Sequence, residues 1–196
     1  MTLAVSSSAA AGTYTINVIG TGAAGISEDA IVTLTVTSTT GSNLIQNGGF
    51  ETGSLKDWTK AGATAATVSK VEAHSGSYSA LLGKKAAPEI NGTTSISQAV
   101  TIPSSAGAAT LTFWYYPGTT DTITYAYQEV LIKNSSGTTL ATVMKVASNT
   151  KAWTEITYDL SSYAGQTITL FFAVVGNGYS KDYVYMFVDD ISVTAQ

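Results

Sequence analysis

The sequence predicts an all-β fold, an antiparallel β-sandwich, on three observations. Apolar and polar residues alternate along TYTINVI (13–19), LTFWYY (111–116) and WTEITYDL (153–160), the period of strands with one covered face. Turn-forming Gly, Ser, Asn and Pro clusters punctuate the chain between these runs, as they do between short strands. Nowhere do apolar residues recur at helical spacing.

Composition narrows the function classes. Hydrophobic residues make up 44% of the 196 residues, charged ones 11%, and the formal net charge is −4. That is enough apolar surface for a sizeable core and too little charge for disorder. Mild acidity and the lack of a basic run exclude a nucleic-acid partner. No apolar stretch is long enough to span a bilayer, so no membrane partner is expected. With no cysteine, the core and any bound metal must supply the stability that disulfides give other extracellular domains. Sparse charge and many small polar side chains suit a secreted bacterial chain. Met1 runs into strand-like sequence without a secretion signal, as at the start of a cut piece of a longer protein.

Residues 1–38 show three short strands: TLAVS, then the run where Tyr14, Ile16 and Val18 alternate with Thr15, Asn17 and Ile19, then AIVTLTVTS. The last two resemble the closing strands of a bacterial immunoglobulin-like domain. Such a domain needs about seven strands. The piece is therefore a fragment, a hairpin beside a linker, or half of a sandwich completed by another chain. Its open strand edges make self-association through the N-terminal strands an expectation. The small, polar run TSTTGSN (37–43) holds the linker, residues 39–42, and a second domain follows over residues 43–196.

That domain opens on NLIQNGGFETGSLKDW (43–58). Asn47, Gly48 and Gly49 form a turn that tolerates positive φ and lets the backbone approach another group closely, and Phe50 and Trp58 are large apolar anchors around an exposed loop. Strands are expected in TAATVSKVEA, YSALLG and TTSISQAVTI, the last ended by Pro103. ATLTFWYYP follows, rich in aromatic and β-branched residues. TYAYQEVLIKN and TLATVMKV flank a Ser-Ser-Gly hairpin turn. AWTEITYDL and TITLFFAVV flank SSYAGQ, and DYVYMFVDDISVTA closes the chain.

NLIQNGGFETGSLKDW, then AHSGSYSALLG, then YMFVDDISV, in that order over residues 43–195, resemble the jelly-roll carbohydrate-binding modules of the family 4/9/22 kind. Similar modules are appended to secreted bacterial proteases and glycoside hydrolases. The resemblance implies a jelly-roll sandwich, extracellular, binding a polysaccharide or glycan for an upstream catalytic domain of the parent protein. It also implies a structural calcium. Carried onto this chain, Gly49 and Ser75 supply backbone oxygens, and Glu51 and Asp189 supply carboxylates.

The residues themselves leave alternatives open. Glu51 beside bare glycine carbonyls suits a hard cation, or it is a solvated acid in a turn. Asp189 is preferred to Asp190 as the inward acid because it shares the face of Ile191 and Val193. The alternative is that Asp189 only accepts backbone N–H groups. In LTFWYY, Leu111, Phe113 and Tyr115 fall on one face and Thr112, Trp114 and Tyr116 on the other, so both faces carry bulk. Trp114, Tyr116, Tyr125 and Tyr127, with Gln128 and Glu129 beside them, form a candidate stacking platform for pyranose rings; Tyr179, Tyr183 and Tyr185 would extend it. The alternative is that these rings cover the sandwich under loops. Trp58 and Trp153 are assigned to the core.

Catalysis is not expected. The single histidine, His74, sits in a turn, no cysteine exists, and Asp189 and Asp190 should point to opposite faces of a strand. The leading expectation is a non-catalytic carbohydrate-binding module. Two others stand beside it: a structural, adhesive or self-assembling β-domain without sugar affinity, and the substrate-targeting module of a secreted protease.

Overall fold

The computed structural model describes residues 12–21, 27–36 and 41–196. The chain divides into two compact units, residues 1–40 and 41–196. In the first, β1 (Gly12–Thr21) and β2 (Ser27–Val36) form an antiparallel hairpin, with Tyr14 opposite Leu34, Ile16 opposite Val32 and Val18 opposite Ala30. The expected alternation therefore puts one apolar face across both strands. The strand expected over TLAVS lies outside the described residues.

The second unit holds β3 (Ser42–Asn43), β4 (Thr59–Gly62), β5 (Thr67–Ser69), β6 (Ser79–Lys84), β7 (Asn91–Thr101), β8 (Ala109–Thr119), β9 (Tyr127–Lys133), β10 (Thr139–Val146), β11 (Thr154–Asp159), β12 (Thr167–Asn177) and β13 (Val184–Ala195). One sheet runs β10-β9-β12-β7-β4 and the other β11-β8-β13-β6-β5, with β3 on the end of β13. All pairings are antiparallel. The chain changes sheet between β7 and β8, between β8 and β9, and again on either side of β11 and β12, so strands adjacent in sequence mostly face each other across the core. Among the described residues no helix is long and apolar enough to cross a membrane.

Period-two alternation places the core. Leu111, Phe113 and Tyr115 of β8 meet Leu170, Phe172 and Val174 of β12 between the sheets, all buried. Phe113 and Phe172 cross edge to face at 5.1 Å, and Phe172 meets Trp58 at 5.9 Å. Each such large side chain contributes roughly 1.5–3 kcal/mol by leaving water.

The opening stretch is pinned to this core by its own side chains. Gln98 on β7 accepts from Gln46 N and donates to the carbonyls of Gln46 and Asp57. Trp58 Nε1 donates to Asn47 O at 3.1 Å, and Phe50 packs on Trp58 at 5.8 Å. The left-handed residues of this turn are Asn47 (φ 52°), one of the three expected to tolerate it, and Phe50 (φ 57°). Gly48 serves the expected close approach: a Cβ there would run into the Ile191 carbonyl, and Ile191 N donates to Gly48 O at 3.0 Å. Two further expectations are corrected. Trp153 is half-buried outside the core cluster, because it precedes β11 and folds over the outer face of β8. Tyr125 does not share a strand with Tyr127: Tyr125 N and Ala126 N both bond Thr122 O, making a turn before β9 begins.

Candidate functional site

Three parts of the second unit carry most of the side chains singled out by sequence. The first joins the opening loop, the His74–Tyr78 turn and β13. Glu51 Oε1 accepts from Ser77 N and Tyr78 N, each at 2.9 Å. Asp189 is fully buried, and its Oδ2 accepts from His74 N at 2.9 Å and Ser75 N at 3.3 Å. Gly49 lies where the acids converge, since a Cβ there would stand 3.6 Å from Asp190 Oδ1 and 4.0 Å from Asp189 Oδ1. The structure thus brings Gly49, Glu51, Ser75 and Asp189 to one place.

The reason given for preferring Asp189 does not hold, however. Register shifts between Asp189 and Ser192, and Asp190 is left-handed at φ 48°. This bulge breaks the alternation. Asp189 pairs with Trp114 on the outer face, while Ile191 and Val193 turn inward one step out of phase. Asp189 is buried because the 74–75 turn covers it. The same bulge brings Asp190 to that turn, with Oδ2 2.7 Å from His74 Nδ1 and Oδ1 accepting from Ser75 Oγ at 2.7 Å. The two acids are therefore not held on opposite faces. Burial pushes the Asp189 carboxyl up to about 6, the Asp190 charge adds to this, and the backbone donors of Asp190, His74 and Ser75 oppose it.

The second part is the outer face of β8 and β13. His74 stacks on Trp114 at 3.8 Å and meets Trp153 at 5.8 Å. Trp153 and Phe187 both meet Tyr116 edge to face, at 5.7 and 5.9 Å. Tyr185 crosses Phe187, and Tyr183 stacks on Tyr185. Lys85 and Lys151 lie over Phe187 and Tyr183. Trp114 and Tyr116 belong to this contiguous, half-buried ring cluster, in which the rings pack on one another outside the sheet.

The third part lies at the end of the sandwich, where a cleft of about 270 Å3 is lined by Asp121, Tyr125, Asn177, Tyr179 and Asp182. Its two tyrosines are 57% and 51% exposed. Asp182 Oδ1 accepts from Thr120 Oγ1 at 2.8 Å, and Asp121 Oδ2 from Asn177 Nδ2 at 3.4 Å. Among the described residues the only carboxylate in ion-pair distance of a basic side chain is Asp190, beside His74. The acids of this cleft are thus not neutralised by lysine.

The six platform residues predicted from sequence do not form one surface. Trp114 and Tyr116 lie in the ring cluster and Tyr125 in the end cleft. Tyr127 and Glu129 lie on the outer face of β9, on the other sheet, where Lys145 sits 3.9 Å above the Tyr127 ring. Burial raises the Glu129 carboxyl against the pull of Lys145 and Lys133. Gln128 faces the core and is fully buried; its amide donates to Gly118 O, Ser148 O and Tyr185 O and accepts from Ser148 N. It has no hydrogen-bonding group left for a ligand. Gln128→Leu should cost about 1–2 kcal/mol by stranding those backbone groups, read as a lower denaturation midpoint with unchanged slope. Asp121, Asn177 and Asp182 were missed, since no spacing in the sequence links loops that meet only at one end of the fold.

No family model and no curated protein sequence matches the chain. Solved structures do. TmCBM61, in complex with β-1,4-galactotriose, superposes with a TM-score of 0.60 at 21% identity over 79% of this chain and 99% of that one. The K3 cleaved adhesin domain of Lys-gingipain from Porphyromonas gingivalis w83 gives 0.54 at 15% identity, over 78% and 99%. The CBM22-1 xylan-binding domain of Paenibacillus barcinonensis Xyn10C gives 0.52 at 16% identity, over 81% and 97%. At these identities the likeness is one of fold, and residues 41–196 have the jelly-roll β-sandwich of carbohydrate-binding modules.

Proposed function

We propose that residues 41–196 form a non-catalytic carbohydrate-binding module whose glycan lies in the end cleft between Tyr125 and Tyr179. The observation that carries this reading is the pair of exposed tyrosine rings beside two carboxylates and an amide. Tyrosine faces stack on the C–H faces of pyranose rings, while carboxylate and amide groups bond the hydroxyls. Unneutralised Asp121 and Asp182 disfavour an anionic sugar. Catalysis finds no support at the other acids, because Asp189 is out of reach of any substrate and His74 is engaged with Asp190 and Trp114.

A calcium ion at the opening loop belongs to the same proposal. The donor chemistry fits: Glu51 and Asp189 are hard carboxylate ligands, and the backbone of Gly49 and Ser75 lies beside the Asp189 carboxylate. Among the described residues no three His, Cys, Asp or Glu side chains gather closely enough to hold a metal alone. The ion would rest on two carboxylates and the Gly49 and Ser75 carbonyls, locking the opening loop to the last strand. We further propose that the module is secreted and directs an upstream hydrolase of the same protein to its polysaccharide.

Titration calorimetry with β-1,4-galactotriose and soluble xylan, and retention on insoluble polysaccharides, test the reading. The native protein should retain a neutral glycan and not polygalacturonate. Tyr125→Ala and Tyr179→Ala should each weaken binding about tenfold, or ~1.4 kcal/mol, with little change in melting temperature. A native protein that retains no polysaccharide would favour the structural or adhesive reading instead.

A further inference from the structure

One buried acid lies outside both the calcium loop and the ring cluster. Glu89 is 4% exposed, just before β7, and its Oε2 is shut off from solvent without a hydrogen-bond partner. Its Oε1 accepts from Asn177 N at 2.9 Å and from Tyr179 N at 3.4 Å. Its own N–H donates to Tyr179 O at 3.3 Å, and Gly178 N donates to Ile90 O at 3.0 Å. The turn over residues 176–179 is thereby wrapped around the Glu89 carboxylate. Gly176 lets it close, since a Cβ there would stand 2.6 Å from Ile90 O and 3.2 Å from Glu89 Cδ. Gly178 supplies the left-handed step, at φ 81°.

This turn carries Asn177 and Tyr179, two of the five residues that line the end cleft. Burying a carboxylate with one oxygen unpaired works against stability. The bonds that Oε1 accepts from Asn177 N and Tyr179 N offset part of that cost and depend on how far the side chain reaches. Within the turn Tyr179 N also donates to Asn177 Oδ1 at 2.8 Å, and the Glu89 carboxylate anchors this turn to the segment that enters β7. The opposite wall is tied separately, through Thr120, whose N–H donates to Tyr183 O and whose Oγ1 accepts from Tyr183 N.

We propose that Glu89 is the positioning residue of the glycan cleft: its buried carboxylate sets the 176–179 turn so that the Tyr179 ring and the Asn177 amide face the ligand, without itself touching it. This rests on the end cleft being the glycan site. The alternative is that Glu89 only stabilises the sandwich, and two substitutions separate the cases. Glu89→Gln keeps an acceptor oxygen at the same reach and loses the charge. Glu89→Asp keeps the charge and withdraws it by one methylene.

The measurements are amide hydrogen exchange at Asn177 and Tyr179, and binding of β-1,4-galactotriose and soluble xylan, on the whole chain. Glu89→Gln should keep both amides protected and affinity within about threefold of native. Glu89→Asp and Glu89→Ala should speed exchange at the two amides at least tenfold and weaken binding about tenfold. Native exchange at both amides in Glu89→Asp, or binding lost equally in the Gln and Asp variants, overturns the proposal. Should Glu89→Ala fail to fold, the Gln and Asp pair still decides. The exchange arm needs no glycan. If the native chain binds neither probe, the cleft function falls, while the exchange data still report whether Glu89 sets the turn.

Discussion

Replacing Trp114 with alanine should lower the stability of the sandwich by about 2–3 kcal/mol, somewhat less than the roughly 3–5 kcal/mol of a fully buried aromatic. In a unit of this size that is about 6–10 °C of melting temperature. Trp114 is only half-buried, but its ring carries the stacked His74 at 3.8 Å. His74 in turn links the 74–78 turn to Trp153 and, together with Ser75, to Asp190. Removing the indole opens a gap under that turn and loosens the cover that its backbone N–H groups make over Asp189. The cost therefore combines lost apolar burial with the loosening of a buried acid. Glycan affinity, measured well below the new midpoint, should stay within about twofold of native, because the end cleft shares no ring with this cluster. Tyr125→Ala should give the reverse pattern, with affinity lost and the melt kept. If Trp114→Ala melts like the native protein and loses the glycan, the outer face of β8 is the binding platform and the end cleft is not.

This contrast also shows what the sequence could carry. Period two along LTFWYY placed Phe113 and Trp114 on opposite faces, as found, because side-chain direction in a strand depends only on parity. The same rule failed at VDDISV, where one bulge at Asp189 and Asp190 shifted every residue beyond it. A bulge is set by tertiary fit, here the Gly48–Ile191 approach and the turn over Asp189, and two adjacent acids carry no mark of it. The platform was misassembled for a related reason. Tyr125, Tyr127, Gln128 and Glu129 are neighbours in sequence, yet they went to a loop, the outer face of β9 and the core. Parity alone could not show that β8 and β9 belong to different sheets, so that their outward faces look away from each other. The opening loop was the most legible part, since Gly49, Glu51, Ser75 and Asp189 do converge. Their motifs sit at loop ends that this fold brings together, whereas the cleft residues Asp121, Asn177 and Asp182 sit in loops without any motif.

Stripped of metal, the sandwich should lose stability as pH rises from about 4 to about 7, and calcium should reverse that loss. Burial holds the Asp189 carboxyl at about 6 in the folded chain, against roughly 3.9 when unfolded. Between those values the folded state binds more protons than the unfolded one, so raising the pH disfavours folding. The stabilisation is complete below the unfolded value and gone above the folded one, a difference on the order of 3 kcal/mol. Calcium acts on the other protonation state. Bound to the ionised carboxylate in the folded chain only, it would contribute about 4.1 kcal/mol at a thousandfold over its dissociation constant, more than the metal-free loss. In excess calcium the protein should therefore be most stable near pH 7 and weaken as acid displaces the ion, the opposite slope. Urea melts at pH 4, 5.5 and 7, on metal-stripped and calcium-loaded protein, read both slopes. Asp189→Asn keeps the side-chain shape without the titrating group, and should flatten the metal-free profile and abolish the calcium response. Profiles that coincide with and without calcium would remove the ion from the opening loop. A calcium response that survives Asp189→Asn would move it to other ligands.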